Sequence, residues 1–382
     1  MGRTPGMAED AIPNMIAGWL KEKLSRSAAL IPIAGAEKYM CARKVVLCGA
    51  ALYSLTFIAL EFARADSLAD FYTSRTVSIY VGSDPGGGYD AYARIFAKYF
   101  SAHLPGRPKT AIEFIPAAAG IAALNFIGND APRDGSAIGA VRAANVIEPL
   151  LQQGAKVAQY DPRRLSWIGN ISRQQGTCFT WHTSPIKTIE QAKAREVSVA
   201  STGPLSNIGT FPNILNQLIG TKFKVITAPN LRVALEGGTV EGICGMSYST
   251  IKASAPEWIS GNKLNFLAQS GLEKTPGLRD VPMVKDFAKT YADRALFQLL
   301  DYREIMGRPY VAPVGVPRDR LAALRRAFED TMRDADFRSE AESHNLDVDP
   351  TPSQGIEAMI ADAYSMPPEV VKRTWDLMHS AN

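Results

Sequence analysis

The chain has 382 residues, 46% of them hydrophobic and 21% charged, with a formal net charge of +4. This is the profile of a soluble globular protein of one or two domains with ample core. Of the 42 Lys/Arg and 38 Asp/Glu, eight and five lie in residues 1–65, so the remainder is near neutral. It carries no basic stripe of the kind nucleic acid requires.

The N-terminal segment has its own pattern. Arg43 and Lys44 precede an apolar run from Val45 to Leu60, followed by Ala63-Arg64-Ala65. A basic flank, a short apolar stretch and a small-x-small end form the layout of a secretory signal, here residues 40–65 with cleavage after Ala65. Sixteen apolar or near-apolar residues are short for a membrane span, although an uncleaved anchor is the alternative. Cys48 follows Leu47, which argues against a lipoprotein site. Met40 sits where a signal begins. Residues 1–39 are therefore expected to be an extension from gene-start assignment, or else a cytoplasmic leader. Export to the periplasm leaves Cys178 and Cys244 as an even pair in an oxidising compartment. A disulfide and two buried free thiols are both open. His103, His182, His344 and His379 are scattered without ligand spacing, so no metal and no cofactor is expected.

Beyond the signal, Val77, Ile79 and Val81 alternate with Ser78 and Tyr80, predicting a strand. After Pro85-Gly86-Gly87-Gly88, the residues Tyr92, Ile95, Phe96, Tyr99 and Phe100 mark one apolar helical face. Thr110–Ile115 reads as a second strand, followed by Pro-Ala-Ala-Ala-Gly and an apolar helix from Ile121 to Ile127. Asp134-Gly135 is a turn before a short buried strand, Ile138–Val141. Residues 197–202 form a strand leading into Gly203 and another helix. The stretch GLRDVPMVKDF is a loop entering a helix. VAPVGVPRDRLAALRRAFEDTMRD ends a strand and opens a long amphipathic helix, with Pro317 near its first turn. Repeated strand–loop–helix units predict parallel sheets covered by helices.

This rhythm gives the three glycines a physical role. In open α/β sheets ligands bind beyond the carboxyl ends of the strands. A helix N-terminus there offers unpaired N–H groups and the positive end of a dipole. Glycines let an anion approach without a Cβ in the way. The segment lacks the Lys-Ser/Thr of a P-loop, and its glycines are consecutive where a dinucleotide fingerprint spaces them. A carboxylate, which needs only a few donors, fits better than a nucleotide. A plain helix-entry turn with no ligand is the alternative. No Arg or Lys lies inside the loop, so capture by backbone dipoles is expected to dominate.

The segments SDPGGGYDAYAR, IEFIPAAAGIAALNFI and APRDGSAIGAV, in that order, resemble the receptor subunits of tripartite tricarboxylate transporters, the Bug family. The resemblance runs from about Tyr72 to the C-terminus through YDPRRLSWIGNIS, HTSPIKTIEQA, LRDVPMV, APVGVPRDRLAALRRAF and LDVDPTP. It implies a two-lobe periplasmic-binding-protein-like α/β fold (type II), with the lobes joined by crossover strands. Residues 67–176 plus 306–382 would form lobe 1 and 177–305 lobe 2. It also implies a ligand held by Pro85, Gly86, Gly87, Gly88 and Asp90, by the loop of Ala117, Ala118, Ala119 and Gly120, and by Thr202, Gly203, Ser206 and Asn207.

The family's second loop reads Gly-Ala-Gly-Gly, where this chain has alanines. If that loop still curls around a carboxylate, at least one alanine is expected to be left-handed. The usual Asn before it is Phe114 or Ile115 here. The segment at Ala228-Pro229-Asn230 is shorter than in related sequences.

Each candidate has a plainer reading beside the functional one. Asp90 either stabilises its helix N-terminus or touches ligand. Arg94, four residues on, suits an ion pair with it. Ser206 and Asn207 suit helix caps equally well, and Ser247 either faces the cleft or packs locally. GMSYS is not a nucleophile elbow, because Ser249 replaces the second Gly. Trp167, Trp181 and Trp258 suit core or surface anchoring. The functional expectation is an exported, monomeric, non-enzymatic receptor. It would capture a small carboxylate-bearing organic anion and deliver it to membrane permease subunits. The alternatives are an exported α/β enzyme acting on a small organic acid and a binding protein used for sensing.

Overall fold

The structure, a computed structural model, describes residues 68–152, 157–203 and 206–379. The expected signal at 40–65 and the extension at 1–39 lie outside the described residues. Among those described, no helix is long and apolar enough to cross a membrane.

Two sheets organise the chain. The first contains β1 (Thr76–Val81), β2 (Lys109–Phe114), β3 (Ala137–Ala140), β4 (Ser166–Asn170), β10 (Pro309–Ala312) and β11 (Thr351–Pro352), in the order β11-β4-β10-β3-β1-β2. The pairs β1–β2 and β1–β3 are parallel, as strand–helix–strand units require, whereas β10 enters antiparallel between β3 and β4. Val77, Ile79 and Val81 are fully buried. The helix after the glycines, α1 (Gly88–His103), buries Tyr92, Ile95, Phe96 and Phe100, the face that the periodicity predicts. Phe96 packs on Tyr310 of β10 at 4.2 Å between ring centroids and on Phe328 of a later helix at 5.7 Å. Full burial of side chains this size contributes roughly 1.5–3 kcal/mol each. A Cβ on Gly169 would stand 2.2 Å from Phe328, so the bare backbone of β4 is what lets that ring lie on the sheet. After β2, α2 (Ile121–Asn129) covers the sheet with Ile121, Leu124 and Ile127.

The second sheet contains β5 (Gly176–Trp181), β6 (Val197–Ser201), β7 (Phe223–Thr227), β8 (Gly242–Ser247) and β9 (Leu264–Gln269), in the order β7-β6-β8-β5-β9. Its helices are α3 (Ile189–Ala194), α4 (Asn207–Ile219), α5 (Leu231–Glu236) and α6 (Tyr248–Ser254). Cys178 and Cys244, opposite one another on β5 and β8, are joined as a disulfide.

The chain crosses between the sheets twice, after β4 and before β10. The two crossings lie side by side: Gly307 N–H donates to Ser172 O at 3.0 Å and Gln174 N–H to Ile305 O at 3.1 Å. Arg173 sits at this crossing, forked onto Asp349 at 2.8 and 2.9 Å and paired also with Glu273. The segment GLRDVPMVKDF folds as two short 3-10 turns, Pro276–Leu278 and Val284–Phe287, before the long helix α7 (Tyr291–Ile305). α7 begins with a capping box between Thr290 and Asp293. It packs against the C-terminal helix α11 (Pro368–His379), which also reaches α4. One apolar core therefore runs from Ile121 and Trp167 behind the first sheet, through Leu296, Phe297 and Leu377, to Phe211 and Leu215 beside the second. Further helices are α8 (Arg318–Arg333), with Pro317 at its N-cap, α9 (Ala335–Ser343) and α10 (Ser353–Ser365).

Candidate functional site

Three loops meet at the carboxyl ends of the parallel strands β1, β2 and β3. Gly82 N–H donates to Ala140 O at 2.9 Å and Ile115 N–H to Val81 O at 2.9 Å, which splices the loop bases together. The first loop ends at Gly87, the N-cap of α1, whose extended backbone has no side-chain cap. Pro85, Gly86, Gly87 and Gly88 are exposed. A Cβ on Gly86 would meet nothing within 4 Å, and one on Gly87 only Asp84 O at 3.9 Å. The glycines thus leave open space above backbone donors. Asp90 is buried, accepts from Gly86 N–H at 2.8 Å and pairs with Arg94 at 2.6 Å. Its carboxylate staples the loop to the first turn of α1 and is engaged by the fold itself.

The second loop holds two alanines in left-handed geometry, Ala118 at φ 52° and Ala119 at φ 54°. The expectation of at least one is met twice, at a cost of roughly 1–2 kcal/mol per residue. Ala118 and Ala119 are exposed. The turn is braced by Asn145 Nδ2, which donates to Ala119 O at 3.0 Å. Gly120 has φ 86°, and a Cβ there would lie 2.2 Å from Gly82 O and 2.9 Å from Arg142 Cδ. Only glycine lets the two loops come together.

The third loop, after β3, adds residues that the sequence reading passed over. Ala143 N–H donates to Tyr89 Oη at 3.2 Å, linking it to α1. Arg142 is exposed, and its side chain has no hydrogen-bond or ion-pair partner among the described residues. Arg308, just before β10, lays its guanidinium 4.3 Å from the Tyr89 ring and 4.8 Å from the Tyr92 ring. Its Nη1 donates to Gly307 O at 2.6 Å, and its Nε is buried without an acceptor. The position of Arg142 directly after an apolar strand was a usable signal. Arg308 lies more than two hundred residues from the glycine loop, and only strand order places it there.

The second-lobe candidates gather elsewhere, at the carboxyl ends of β6 and β8. Thr202 is exposed and makes no side-chain hydrogen bond among the described residues. Ser206 is the N-cap of α4 by position, but its hydroxyl donates back to Gly203 O at 2.7 Å and leaves the helix uncapped. Asn207 Nδ2 donates to Gly245 O at 2.9 Å, tying α4 to β8. Ser247 caps α6, accepting from Thr250 N–H at 3.2 Å. Asn207 and Ser247 share a cavity of about 320 Å³ with Phe211, Thr250, Leu300, Asp301 and Arg303. Burial pushes the Asp301 carboxyl up to about 7, against the pull of Lys285 and a hydrogen bond from Gly271 N–H. Among the described residues, no hydrogen bond joins the first-lobe group to the second-lobe group. The lobes do touch through Asp347, whose carbonyl accepts from Tyr92 Oη at 2.9 Å and whose carboxylate pairs with Lys252 of α6 at 2.6 Å. Trp167 and Trp258 are core residues and Trp181 is half-buried. Among the described residues no group of three His, Cys, Asp or Glu is arranged to hold a metal ion.

Two mixed α/β sheets, joined by paired crossings, define the two-lobe periplasmic-binding-protein fold. Within that fold, the chain is similar to a TctC solute binding protein from Polaromonas, with a TM-score of 0.61 and 19% identity over 79% of this chain and 99% of that one. It is also similar to the periplasmic binding protein BugD, with a TM-score of 0.52 and 19% identity over 81% and 98%. MatC from Rhodopseudomonas palustris, solved with bound malate, gives a TM-score of 0.51 and 18% identity over 80% and 99%. No family profile and no curated protein matches the sequence. The resemblance read from the sequence therefore holds at the level of the fold.

Proposed function

We propose that this chain is an exported solute-binding receptor. It captures a small carboxylate-bearing organic anion between its lobes and delivers it to a tripartite tricarboxylate-type permease. The lobes, 67–176 with 306–382 and 177–305, would close about the crossings at Arg173. The observation that carries the reading is the first-lobe mouth. Its open glycine loop and its left-handed alanine turn present backbone donors at the carboxyl edge of a parallel sheet, where α/β proteins bind ligands. Structural neighbours solved with malate and with adipate support a carboxylate.

A thermal-shift screen over mono-, di- and tricarboxylates tests this. A carboxylate present at about a hundred times its dissociation constant should stabilise the protein by roughly 2.7 kcal/mol. No stabilisation by any member of the panel would refute the reading. Export is tested separately, because secreted material should begin near Asp66.

A further inference from the structure

Arg142 and Arg308 lie just beyond the paired ends of the neighbouring strands β3 and β10. In the antiparallel pairing of β3 and β10, Tyr310 stands opposite Ala140 and Val311 opposite Gly139. Val141 N–H still donates to Pro309 O at 3.1 Å, and Arg142 remains extended, at φ −79° and ψ 139°. One step further along the same register, Arg142 is opposite Arg308. Directly opposed residues of this kind sit about 4.5–5.5 Å apart, and like charges there are destabilising. Neither guanidinium forms an ion pair with a described carboxylate.

From adjacent backbone positions the two side chains reach different loops. Arg308 Nη2 lies 3.1 Å from where a Cβ on Gly88 would be, and Arg142 Cδ lies 2.9 Å from the corresponding position on Gly120. The two glycines therefore make room for arginines as well as for a ligand. The Tyr89 and Tyr92 rings hold Arg308 in place. Its Nε is sealed from solvent with no acceptor, an arrangement that costs stability unless an acceptor arrives.

We propose that Arg142 and Arg308 form a two-sided guanidinium clamp for an oxyanion at the first-lobe mouth, and that the clamp makes the site demand charge from its ligand. This rests on reading that mouth as the ligand site. It differs from capture by backbone dipoles alone, because two fixed cations select for anionic charge where N–H groups also accept neutral oxygens.

The test follows the melting of the full chain in titrations of sulfate and of malate, with sodium chloride at matched ionic strength as control. The wild type is compared with Arg142→Gln, Arg308→Gln, Arg308→Lys and the Arg142→Gln/Arg308→Gln double variant. Each Gln variant should lose at least tenfold in apparent affinity for sulfate, and Arg308→Lys should retain more than Arg308→Gln. General salting-out acts on every variant alike. At low salt without added oxyanion, Arg142→Gln should melt above the wild type, because one of two opposed like charges is gone. Should Arg308→Gln fail to fold, the exposed Arg142 and the conservative Arg308→Lys decide the matter.

Sulfate affinities within twofold across the set would overturn the clamp, as would the absence of any sulfate effect on the wild type. Sulfate binding that depends on the arginines, with no response to malate or other carboxylates, would uphold the clamp and refute the carboxylate receptor. Malate binding equal in the wild type and the double variant would do the reverse.

Discussion

The two halves of the candidate site are finished differently. In the second lobe three of the four candidate polar side chains are engaged within the fold, Thr202 being the exception. Ser247 caps α6, Asn207 ties α4 to β8, and Ser206 bonds within its own loop. In the first lobe the fold leaves groups open. Gly87 caps nothing with a side chain, Ala118 and Ala119 are held left-handed, and Arg142 and Arg308 lack carboxylate partners. Strain and orphaned donors persist only where the surrounding structure over-determines them, and they gather at binding sites. Under the proposed receptor function, the contrast would make the first lobe the primary anchor for a ligand and the second a pre-formed wall.

The sharpest way to break this contrast is to fill the open space. Gly87 has φ −92°, which valine adopts, and its Cβ would meet no atom closer than 3.9 Å. Gly87→Val should therefore leave stability within about 0.5 kcal/mol while reducing carboxylate affinity by on the order of a hundredfold, or roughly 2.7 kcal/mol. Arg94→Ala removes an ion pair whose arginine is 60% exposed and a contact with the Phe114 ring, and affinity should stay within about twofold. Calorimetric titration of both variants checks this. Equal losses would mean that Arg94 contacts the ligand.

The second effect belongs to the second-lobe cavity. The Asp301 carboxyl is raised from its ordinary 3.8 to about 7 by burial. Between those values the folded protein binds a proton that the unfolded chain has released, so stability falls as pH rises. The contribution is fully present below the ordinary carboxylate value and lost once pH passes about 7. Denaturant unfolding across this range should show the decline, on the order of a few kcal/mol, and Asp301→Asn should flatten it. A profile that rises with pH and is unchanged in Asp301→Asn would place an ionised, paired carboxylate there.

The smallest effect tests the alanine turn. Ala119, at φ 54° and ψ 33°, is strained whatever lies nearby. Glycine would relieve roughly 1–2 kcal/mol, opposed by about 0.4–1 kcal/mol of added freedom in the unfolded chain. Ala119→Gly should raise the stability of the protein by about 0.5–1 kcal/mol in thermal melts. A lower melting temperature would show that the turn carries no strain.

Local patterns were legible because each reports its own burial. The alternation of Val77, Ile79 and Val81, the apolar face from Tyr92 to Phe100, and the glycines ahead of it fixed a strand, a helix and an open loop between them. The left-handed alanine turn was foreseen only through the family resemblance, because alanines stand where the family's loop has glycines. Tertiary structure decided the rest. The insertion of β10 beside β3 brings Arg308 opposite Arg142 and beside Gly88. The packing of α11 onto both α7 and α4 carries one core across both lobes. The gathering of α4, β8 and α7 around one cavity places Asp301 in its wall. None of these has a sequence signature, because strand order and helix docking depend on contacts between segments far apart along the chain. Hydrophobic periodicity tells which face of an element is buried, but not which partner buries it.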